Sequence, residues 1–429
     1  MNQINNINVG IGLATLPISQ KGFGMPLIAG TTQPSSLDLI GAVNHTGGYV
    51  LNDSAIVVDG FADSGNPIAE GDQFTIAGET GSPVHTVVSA SKTAGNTTGI
   101  TFTPALAGPV ADNAVITVTK ETDDVYFEIT DADELLLLGY SASDPEYKMA
   151  AAMFSQSPRI ETLAVFYIPS FSALPTETAK LRNKGKDAWY YFLITSRLKA
   201  DIAIADAYIN SLKKFGVFGT SDQTVTSTGD RTFILISNHA DEYPDAGVVG
   251  RCAAEPVGSI TFDSKQISGQ KNSDVTMSEQ STLLAQNFNL IRDMGGVNVL
   301  WEGKMMGGQY ADVIIGRDWL EARLIESLQS LKINSKKIPM DGRGIKMIES
   351  SIRSVFINAG KAGVIAPVIS EADRLKSDLG DYQYKLSMPE AVSDIAQNDR
   401  ANRLITPITF TAVVGGGINK MTISGTMEA

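Results

Sequence analysis

The residue types that most often carry enzyme or metal chemistry are scarce in this chain. Its histidines are His45, His85 and His239, and its single cysteine is Cys252. These residues do not have the spacing of a His/Cys metal site, and one cysteine excludes an intrachain disulfide. His239 and Cys252 fall in one stretch, SNHADEYPDAGVVGRCAAE, so a Cys–His nucleophile is one hypothesis. We favour the alternative, in which His239 lies in a polar loop and Cys252 on the apolar face of a short helix.

Other chemical motifs fail on context. The sequence has no GxSxG, P-loop or HExxH pattern. The glycine-rich stretches NVGIGLAT and VVGGGINK lack the strand-then-helix setting of a dinucleotide site. The acidic run Asp59–Asp72 lacks the ligand order of an EF-hand and favours a surface turn. The sequence therefore predicts neither a cofactor nor a metal, and a protein that is not an enzyme.

Charge and hydropathy exclude two further classes. The net charge is -13 over 429 residues, and binding of nucleic acid needs clustered Lys and Arg. No stretch approaches the roughly 20 apolar residues that a membrane helix needs, and MNQINNINVGIG does not have the pattern of a secretory signal. We expect no nucleic acid partner and no direct membrane insertion.

From Ser143 onward, helix-type and strand-type patterns alternate, which is typical of an α/β layer. DPEYKMAAAMFSQ predicts a helix with Asp144 as its N-cap. ADIAIADAYINSLKKFG predicts a helix that ends at Gly216. VNVLWEGKMMGGQYADVIIG predicts a strand pair that turns at Gly307 and Gly308.

Two helices with a clear apolar stripe follow in the C-terminal part of the chain. One is expected to begin at Asp318, and the other covers Ile345–Ala359. Before the α/β region, residues 47–120 are rich in Thr, Val, Gly and Ala, with turn signals every few residues. This pattern predicts an inserted all-β domain, either a barrel or a sandwich.

Both ends of the chain carry strand-type alternation. The first strand is short, and the last 24 residues, TPITFTAVVGGGINKMTISGTMEA, predict two strands around three glycines. Unpaired strands invite pairing with another sheet, so a protein with such strands at both ends is expected to use them for strand addition. The expected fold is mixed α/β (α+β), with an N-terminal strand arm (1–20), an α/β core (21–46 and 121–405), the inserted all-β domain (47–120) and a C-terminal β-hairpin arm (406–429).

Four segments, in this order along the chain, carry a resemblance to a known family. INVGIGLATLPISQKGFGMPLIAG is similar to its N-terminal arm and first strand, and SASDPEYKMAAAMFSQSPRIETLAVFYI to its peYkaA…fsqsP region. GGQYADVIIGRDWLEARLIESLQSLKINSKKIPMDGRGIKMIESSIRSVFINAGKAGVIAP is similar to its dWl…KiP…Gi half, and DRANRLITPITFTAVVGGGINKMTISGTMEA to its closing pattern. Over residues 1–44 and roughly 121–429, the chain resembles the tail sheath proteins of contractile, myovirus-like bacteriophages.

The resemblance implies a sheath of stacked six-membered rings around an inner tail tube. The arms near Ile4–Ile11 and Ile408–Met427 would each donate a strand to a neighbouring subunit, and the linked rings would contract to drive the tube through the host envelope during genome delivery. The residues implied in the arms are Ile7, Val9, Ile11, Ile408, Phe410, Ala412, Val414, Met421 and Ile423.

The resemblance also implies partners and a location. Tube contacts are expected from the C-terminal helical region, where Lys346 and Arg353 are candidates. The expected partners are other copies of the chain, the tail tube protein, and the baseplate and tail terminator proteins. The expected location is the tail sheath of the virion, after assembly in the cytoplasm of the host bacterium.

Three alternatives stay open at this point. The chain could form the sheath of a phage-derived bacteriocin or injection device, which uses the same mechanism. It could be a virion-surface carbohydrate binder, although residues 47–120 are poor in the aromatic residues that usually stack on sugars. It could also be an enzyme that uses Cys252 or a pair of carboxylates.

Overall fold

The computed structural model describes residues 22–34, 38–62, 68–93, 96–119 and 125–419. They form two compact units. The N-terminal unit holds residues 22–255 and 262–311, and the C-terminal unit holds 256–261 and 312–419 of the described residues. The predicted strand residues Ile7, Val9, Ile11, Met421 and Ile423 lie outside the described ranges.

A six-stranded sheet forms the centre of the N-terminal unit. Its strands lie in the order β12-β11-β10-β1-β9-β8, and all are parallel except β8, which pairs antiparallel with β9 at one edge. Every residue of the five parallel strands is buried, which is typical of strands covered on both faces. The strands are β1 (Pro26–Gly30), β8 (Tyr126–Ile129), β9 (Leu163–Tyr167), β10 (Tyr191–Ile194), β11 (Phe215–Thr220) and β12 (Thr232–Ile236).

Six helices and a small second sheet complete the α/β part of this unit. The helices are α1 (Glu134–Leu137), α2 (Pro145–Phe154), α3 (Leu174–Asn183), α4 (Lys199–Asn210), α5 (Pro244–Ala253) and α6 (Met277–Ala285). The second sheet is antiparallel, in the order β13-β15-β14, and consists of β13 (Lys265–Gln266), β14 (Leu290–Asp293) and β15 (Asn298–Trp301).

The Thr- and Val-rich insertion forms a closed antiparallel barrel in the order β2-β3-β6-β5-β4-β7. Closure leaves the barrel without an edge strand. The strands are β2 (Asp38–Val43), β3 (Ala55–Ala62), β4 (Gln73–Ile76), β5 (His85–Thr93), β6 (Asn96–Thr103) and β7 (Val115–Thr119). The barrel alternative of the sequence prediction is therefore confirmed, and the barrel also includes β2, which precedes residue 47 and pairs with β7.

The C-terminal unit packs helices against a two-stranded sheet. Its helices are α7 (Ala311–Asn334), α8 (Gly342–Lys361), α9 (Glu371–Arg374) and α10 (Gln397–Ala401), and its strands are β16 (Tyr384–Ser387) and β17 (Thr409–Ala412). The first residue of α7, Ala311, is counted with the N-terminal unit. Asp341 begins α8 because its side chain accepts the N–H groups of Arg343 and Gly344. The apolar face of α8, centred on Phe356, lies in the core of this unit.

Three sequence predictions about element boundaries are wrong. Helix α4 ends at Asn210, and Gly216 lies in β11, where a Cβ atom would be 2.9 Å from the Phe218 ring. Residues 311–316 are helical rather than strand, because α7 begins at Ala311, and Asp318 is an interior residue of that helix. Short apolar runs do not distinguish a buried strand from a buried helix, which explains the second error. Within the described ranges, no helix is long and apolar enough to span a membrane.

A candidate strand-acceptor groove in the C-terminal unit

One edge of the small sheet in the C-terminal unit is open. β17 pairs antiparallel with β16, and the N–H of Val413 donates to Gln383 O at 2.9 Å. Main-chain groups alternate in direction along a strand, so the N–H and C=O groups of Phe410 and Ala412 point away from β16. In the described part of the chain these groups have no main-chain partner. They can therefore bond to another strand.

An apolar groove of about 580 Å³ runs beside this open edge. Phe410 and Ala412 form one side, and α7 forms another through Val313, Gly316 and Leu320. The remaining wall comes from the loops 258–261 and 363–365 and from residues 413–417. All of these residues belong to the C-terminal unit, so the groove is complete within it.

Glycines let these loops approach one another closely. A Cβ atom on Gly258 would lie 2.4 Å from Ala362 O, and one on Gly415 would lie 2.2 Å from Gly363 O. The N–H of Gly415 donates to Val364 O at 3.0 Å, next to a bridge between Ile365 and Val414. The contact at Gly415 explains why a glycine stands there, where the sequence predicted only a connection between two strands.

Of the predicted C-terminal hairpin, the structure describes the first strand and the three glycines. Gly415, Gly416 and Gly417 have no left-handed φ angle, so they do not form a tight glycine turn. They run along the loop at Gly363 and against Thr261, where a Cβ on Gly417 would lie 2.5 Å from Thr261 Cγ2. The second predicted strand lies outside the described residues.

The apolar face of β17 packs within its own chain. The Phe410 ring lies 4.9 Å from the Phe356 ring of α8, and Ile408 and Ala412 pack against the same core. Phe410 nevertheless stays 44% exposed, on the side of the groove. Val414, also predicted as an arm residue, forms the bridge with Ile365. Exchange of this segment between subunits stays a prediction.

One carboxyl group in the groove wall is unusual. Burial raises the pKa of Asp312, in the first turn of α7, against two weaker opposing hydrogen bonds from main-chain N–H groups. Arg317 also lines the groove, is exposed, and has its Nε 3.6 Å from Asp318 Oδ1. The groove therefore has an apolar floor with few charges, which suits an uncharged extended segment rather than an ionic ligand.

The two predicted tube-facing residues lie on α8 and share one acid. Lys346 Nζ donates to Glu349 Oε2 at 2.7 Å, and Arg353 Nε donates to Glu349 Oε1 at 2.9 Å. Arg353 Nη1 also donates to Asp378 Oδ2 at 3.2 Å. Lys346 is largely exposed, whereas the Arg353 side chain is 21% exposed.

The residues considered for chemistry are dispersed. Cys252 is buried in α5, and burial raises the pKa of its thiol to about 12. His239 lies 3.8 Å from Glu242, His45 bonds to Gly48 O, and His85 is buried in the barrel. Among the residues that the structure describes, no three His, Cys, Asp or Glu side chains form a group that could hold a metal ion.

Comparison with known proteins finds similarity to sheath proteins. Residues 311–427, which hold most of the groove, match the family "E217 tail sheath protein gp31-like, C-terminal domain". The fold is similar to that of the sheath of an extracellular contractile injection system, the PVC sheath complex in its contracted state, with a TM-score of 0.53 and 12% identity over 71% of this chain and 87% of that chain.

A second solved structure is the sheath tail protein of Desulfitobacterium hafniense, with 11% identity, a TM-score of 0.42, and coverage of 91% of this chain and 96% of that chain. No curated protein matches the sequence. The resemblance to tail sheath proteins that the sequence indicates is confirmed, and the family match lies in residues 311–427.

Proposed function

We propose that this chain is the structural subunit of a contractile phage tail sheath. Copies polymerise as stacked hexameric rings around the tail tube, and the stack contracts to drive the tube through the host envelope during genome delivery. The observation that carries the proposal is the open edge of β17 beside an apolar groove, in the region that matches the sheath family.

The occupant of the groove is the N-terminal arm of a neighbouring copy. Ile7, Val9 and Ile11 alternate with polar residues, so an extended arm presents one apolar face and a free row of N–H and C=O groups. The C-terminal segment is a weaker candidate because residues 409–412 already form β17 in their own chain. Repeated from copy to copy, such a contact is heterologous and builds rings or helical stacks.

The work of contraction is stored in the packing between subunits. The extended stack is a long-lived state, and contraction moves it to a more stable one. The energy therefore comes from packing and not from a chemical reaction, so the role of the chain is structural rather than catalytic. The strand links keep neighbouring copies joined during this movement. The barrel has no free edge, so it takes no part in strand exchange, and we assign it to the outer decoration of the sheath.

Contacts with the tail tube come from the face of α8 that carries Lys346 and Arg353. Lys346 is exposed, and its partner Glu349 is shared with Arg353, so an acidic group on the tube can compete for Lys346. The other partners are the baseplate and tail terminator proteins. The particle is assembled in the bacterial cytoplasm, and the chain then resides in the virion tail.

A phage-derived injection device is the second reading that an observation supports. The fold similarity to an extracellular contractile injection system fits it equally well, since both particles use the same kind of sheath. Capsid genes beside the gene for this chain indicate a virion, and their absence around a complete tail cluster indicates a device.

Electron microscopy of the purified chain tests the assembly. At high concentration, and after mild heating, we expect long hollow tubes with a regular axial repeat in negative stain. The same preparations are weighed by analytical ultracentrifugation. A chain that stays monomeric under all of these conditions, and also when mixed with tail tubes, contradicts the proposal.

A charged arm tests the occupant of the groove. Substituting Asp for Ile7, Val9 and Ile11 together is expected to leave dispersed chains, because charges cannot be buried in an apolar groove. The matched control replaces the alternate residues Asn6 and Asn8 by Asp, which leaves the apolar face intact. Tubes formed equally well by both variants show that the arm is not the occupant.

A further inference from the structure

The groove beside β17 has one acid that no neighbouring cation on its helix balances. Asp312 lies in the first turn of α7 and lines the groove. Its carboxyl is approached by the main-chain N–H groups of Asp312 itself and of Val313. No Lys or Arg stands three or four positions away on the helix. A further hydrogen-bond donor would therefore stabilise this carboxylate where burial disfavours it.

The other charged side chains on the groove wall have opposite signs. Arg317 and Glu321 also belong to α7 and lie four positions apart, where opposite charges are neighbours on a helix. The remaining wall has no titratable side chain. It consists of 258–261, 363–365, Phe410 and 412–417. Asp312 is therefore the group that most needs a polar partner when an arm fills the groove.

Along α7 the groove wall is polar at its start and apolar beyond it. The apolar row that follows Asp312 consists of Val313, Gly316, Leu320 and Leu324. Asp312 and Leu324 are separated by about 18 Å along the helix axis, at a rise of about 1.5 Å per residue. An extended chain covers that distance with about six residues.

The N-terminal arm has the same polarity as the groove wall. In an extended chain every second side chain points to one face, and Asn5, Ile7, Val9 and Ile11 share such a face. One amide at the N-terminal end is thus followed by three apolar side chains, over about 20 Å of extended chain. The amide group of Asn5 is a hydrogen-bond donor that suits a carboxylate, and the three apolar side chains suit the apolar row of α7.

We propose that the Asn5 side chain of a second copy donates to the Asp312 carboxyl, and that this pair sets the direction and register of the arm in the groove. The N-terminal end of the arm then lies at the start of α7, and Ile11 lies near Leu324. The opposite direction would place Ile11 against the carboxyl and leave both polar groups unpaired, which is unfavourable in an apolar groove. This inference rests on the proposed function, and it sets no limit on where the C-terminal arm binds.

Binding of a synthetic arm tests the pair. The probe is a peptide of residues 1–14 with a fluorophore at its C-terminal end, and fluorescence anisotropy measures its affinity for the dispersed full chain. We expect Asn5→Ala in the peptide to weaken binding by roughly ten- to a hundredfold, as for a lost hydrogen bond to a charged group. Against the Asp312→Ala chain the same change is expected to have little effect, because the acceptor is already gone. Asp312→Asn keeps an oxygen acceptor, so part of the difference is expected to remain.

The matched control is Asn6→Ala in the peptide. Asn6 carries the same amide one position further on, and in an extended arm it points to the opposite face. Its replacement is expected to change the affinity by less than about twofold. Equal losses for Asn5→Ala and Asn6→Ala would overturn the pair, as would a loss for Asn5→Ala that persists in full against the Asp312→Ala chain. A wild-type peptide that does not bind the wild-type chain would instead overturn the proposed occupant of the groove.

Cross-linking between full chains tests the direction. A photoreactive amino acid replaces either Gln3 or Leu13, which lie on the same face of the arm beyond its two ends, and mixing of isotopically heavy and light chains identifies intermolecular products. We expect products on residues 311–316 from position 3 and on residues 320–328 from position 13. The reverse distribution, or the same distribution from both positions, overturns the proposed direction and register. No intermolecular product on the groove wall from either position overturns the proposed occupant.

Discussion

The Nε2 of His85 lies 2.7 Å from Glu79 Oε2 inside the barrel, and both side chains are fully buried. The other ring nitrogen, Nδ1, lies 2.7 Å from Pro104 O, and Glu79 Oε1 accepts the Ala107 N–H at 2.8 Å. The pair therefore joins the β4–β5 and β6–β7 loops at one end of the barrel. Each ring nitrogen of His85 therefore contacts an oxygen atom of another residue.

Replacing His85 is expected to loosen this end of the barrel. His85→Ala leaves Glu79 buried with one oxygen unpaired, which costs about 3–5 kcal/mol for a buried pair that loses one partner. The chain has several units, so one global unfolding transition is not a suitable measure. Hydrogen exchange of the Ala107 N–H reports the effect locally.

Ser89→Ala is the control for this prediction, because the Ser89 hydroxyl lies on the exposed face of the same barrel and bonds to Thr101. It is expected to change exchange at Ala107 by little. A His85→Ala chain with the same Ala107 exchange as Ser89→Ala would mean that the buried pair does not hold the two loops together.

Glu146 gives a pH-dependent prediction. Burial raises the pKa of this carboxyl, and the hydrogen bond from the Thr32 N–H, at 3.1 Å, opposes the shift. With a folded-state pKa above the unfolded one, the folded state binds more protons, so the contribution of Glu146 to stability falls as pH rises through that interval. Glu146→Gln removes this loss. We expect the protection of the α2 amides against hydrogen exchange, relative to wild type at the same pH, to increase from about pH 4 to about pH 8.

Asp131 supplies a control of opposite sign. The main-chain N–H of Asp133 and then the Arg159 side chain lower the pKa of Asp131. A lowered pKa stabilises the folded state above the unfolded-state pKa, and that stabilisation is lost as pH falls. The Asp131→Asn chain is therefore expected to be less stable than the wild type at neutral pH, and its stability should approach that of the wild type in acid. Parallel pH profiles for the two variants would contradict the assignment.

Gly415 and its neighbour Gly416 form a matched pair. A Cβ on Gly415 would lie 2.2 Å from Gly363 O, whereas a Cβ on Gly416 would meet nothing within 4 Å. Gly415→Ala is expected to separate the two segments at a cost of about 1–3 kcal/mol, as for overpacking. Gly416→Ala is expected to be neutral or slightly stabilising. The measurement is exchange of the Gly415 N–H, which bonds to Val364 O.

The same pair tests the groove, because residues 413–417 form part of its wall. Gly415→Ala is expected to assemble less well than Gly416→Ala in negative stain. Equal protection of residue 415 in both variants would show that the close approach at Gly363 does not constrain the segment.

Cys252 is expected to be unreactive while the chain is folded. Burial raises the pKa of its thiol to about 12, so the reactive thiolate is scarce at about pH 8. A colorimetric thiol reagent should detect less than a tenth of the cysteine in the native chain and all of it in denaturant. Rapid labelling of the native chain would instead support the Cys–His nucleophile that we set aside.

Much of the fold could be predicted because burial leaves a local record. The strands β9, β10 and β12 are visible as continuous apolar runs, since a strand covered on both faces has no polar side. Helix α8 is visible as an apolar stripe with helical periodicity. Turn residues at short spacing predicted an all-β domain but left a barrel and a sandwich as alternatives. Periodicity was not enough at Gly216 or at residues 311–316, where short apolar runs fit both helix and strand.

The sequence by itself determined that the last strand-like segment has one apolar face and an edge to satisfy. Only the tertiary structure decided that this face packs on Phe356 and that β16 supplies one neighbour. Side-chain periodicity records how deeply a residue is buried, and it carries no information on which distant segment covers it. Arg353 shows the difference. The sequence offered it as a candidate for tube contacts in the C-terminal helical region, whereas its hydrogen bond to Asp378, 25 positions away, is visible only in the folded chain.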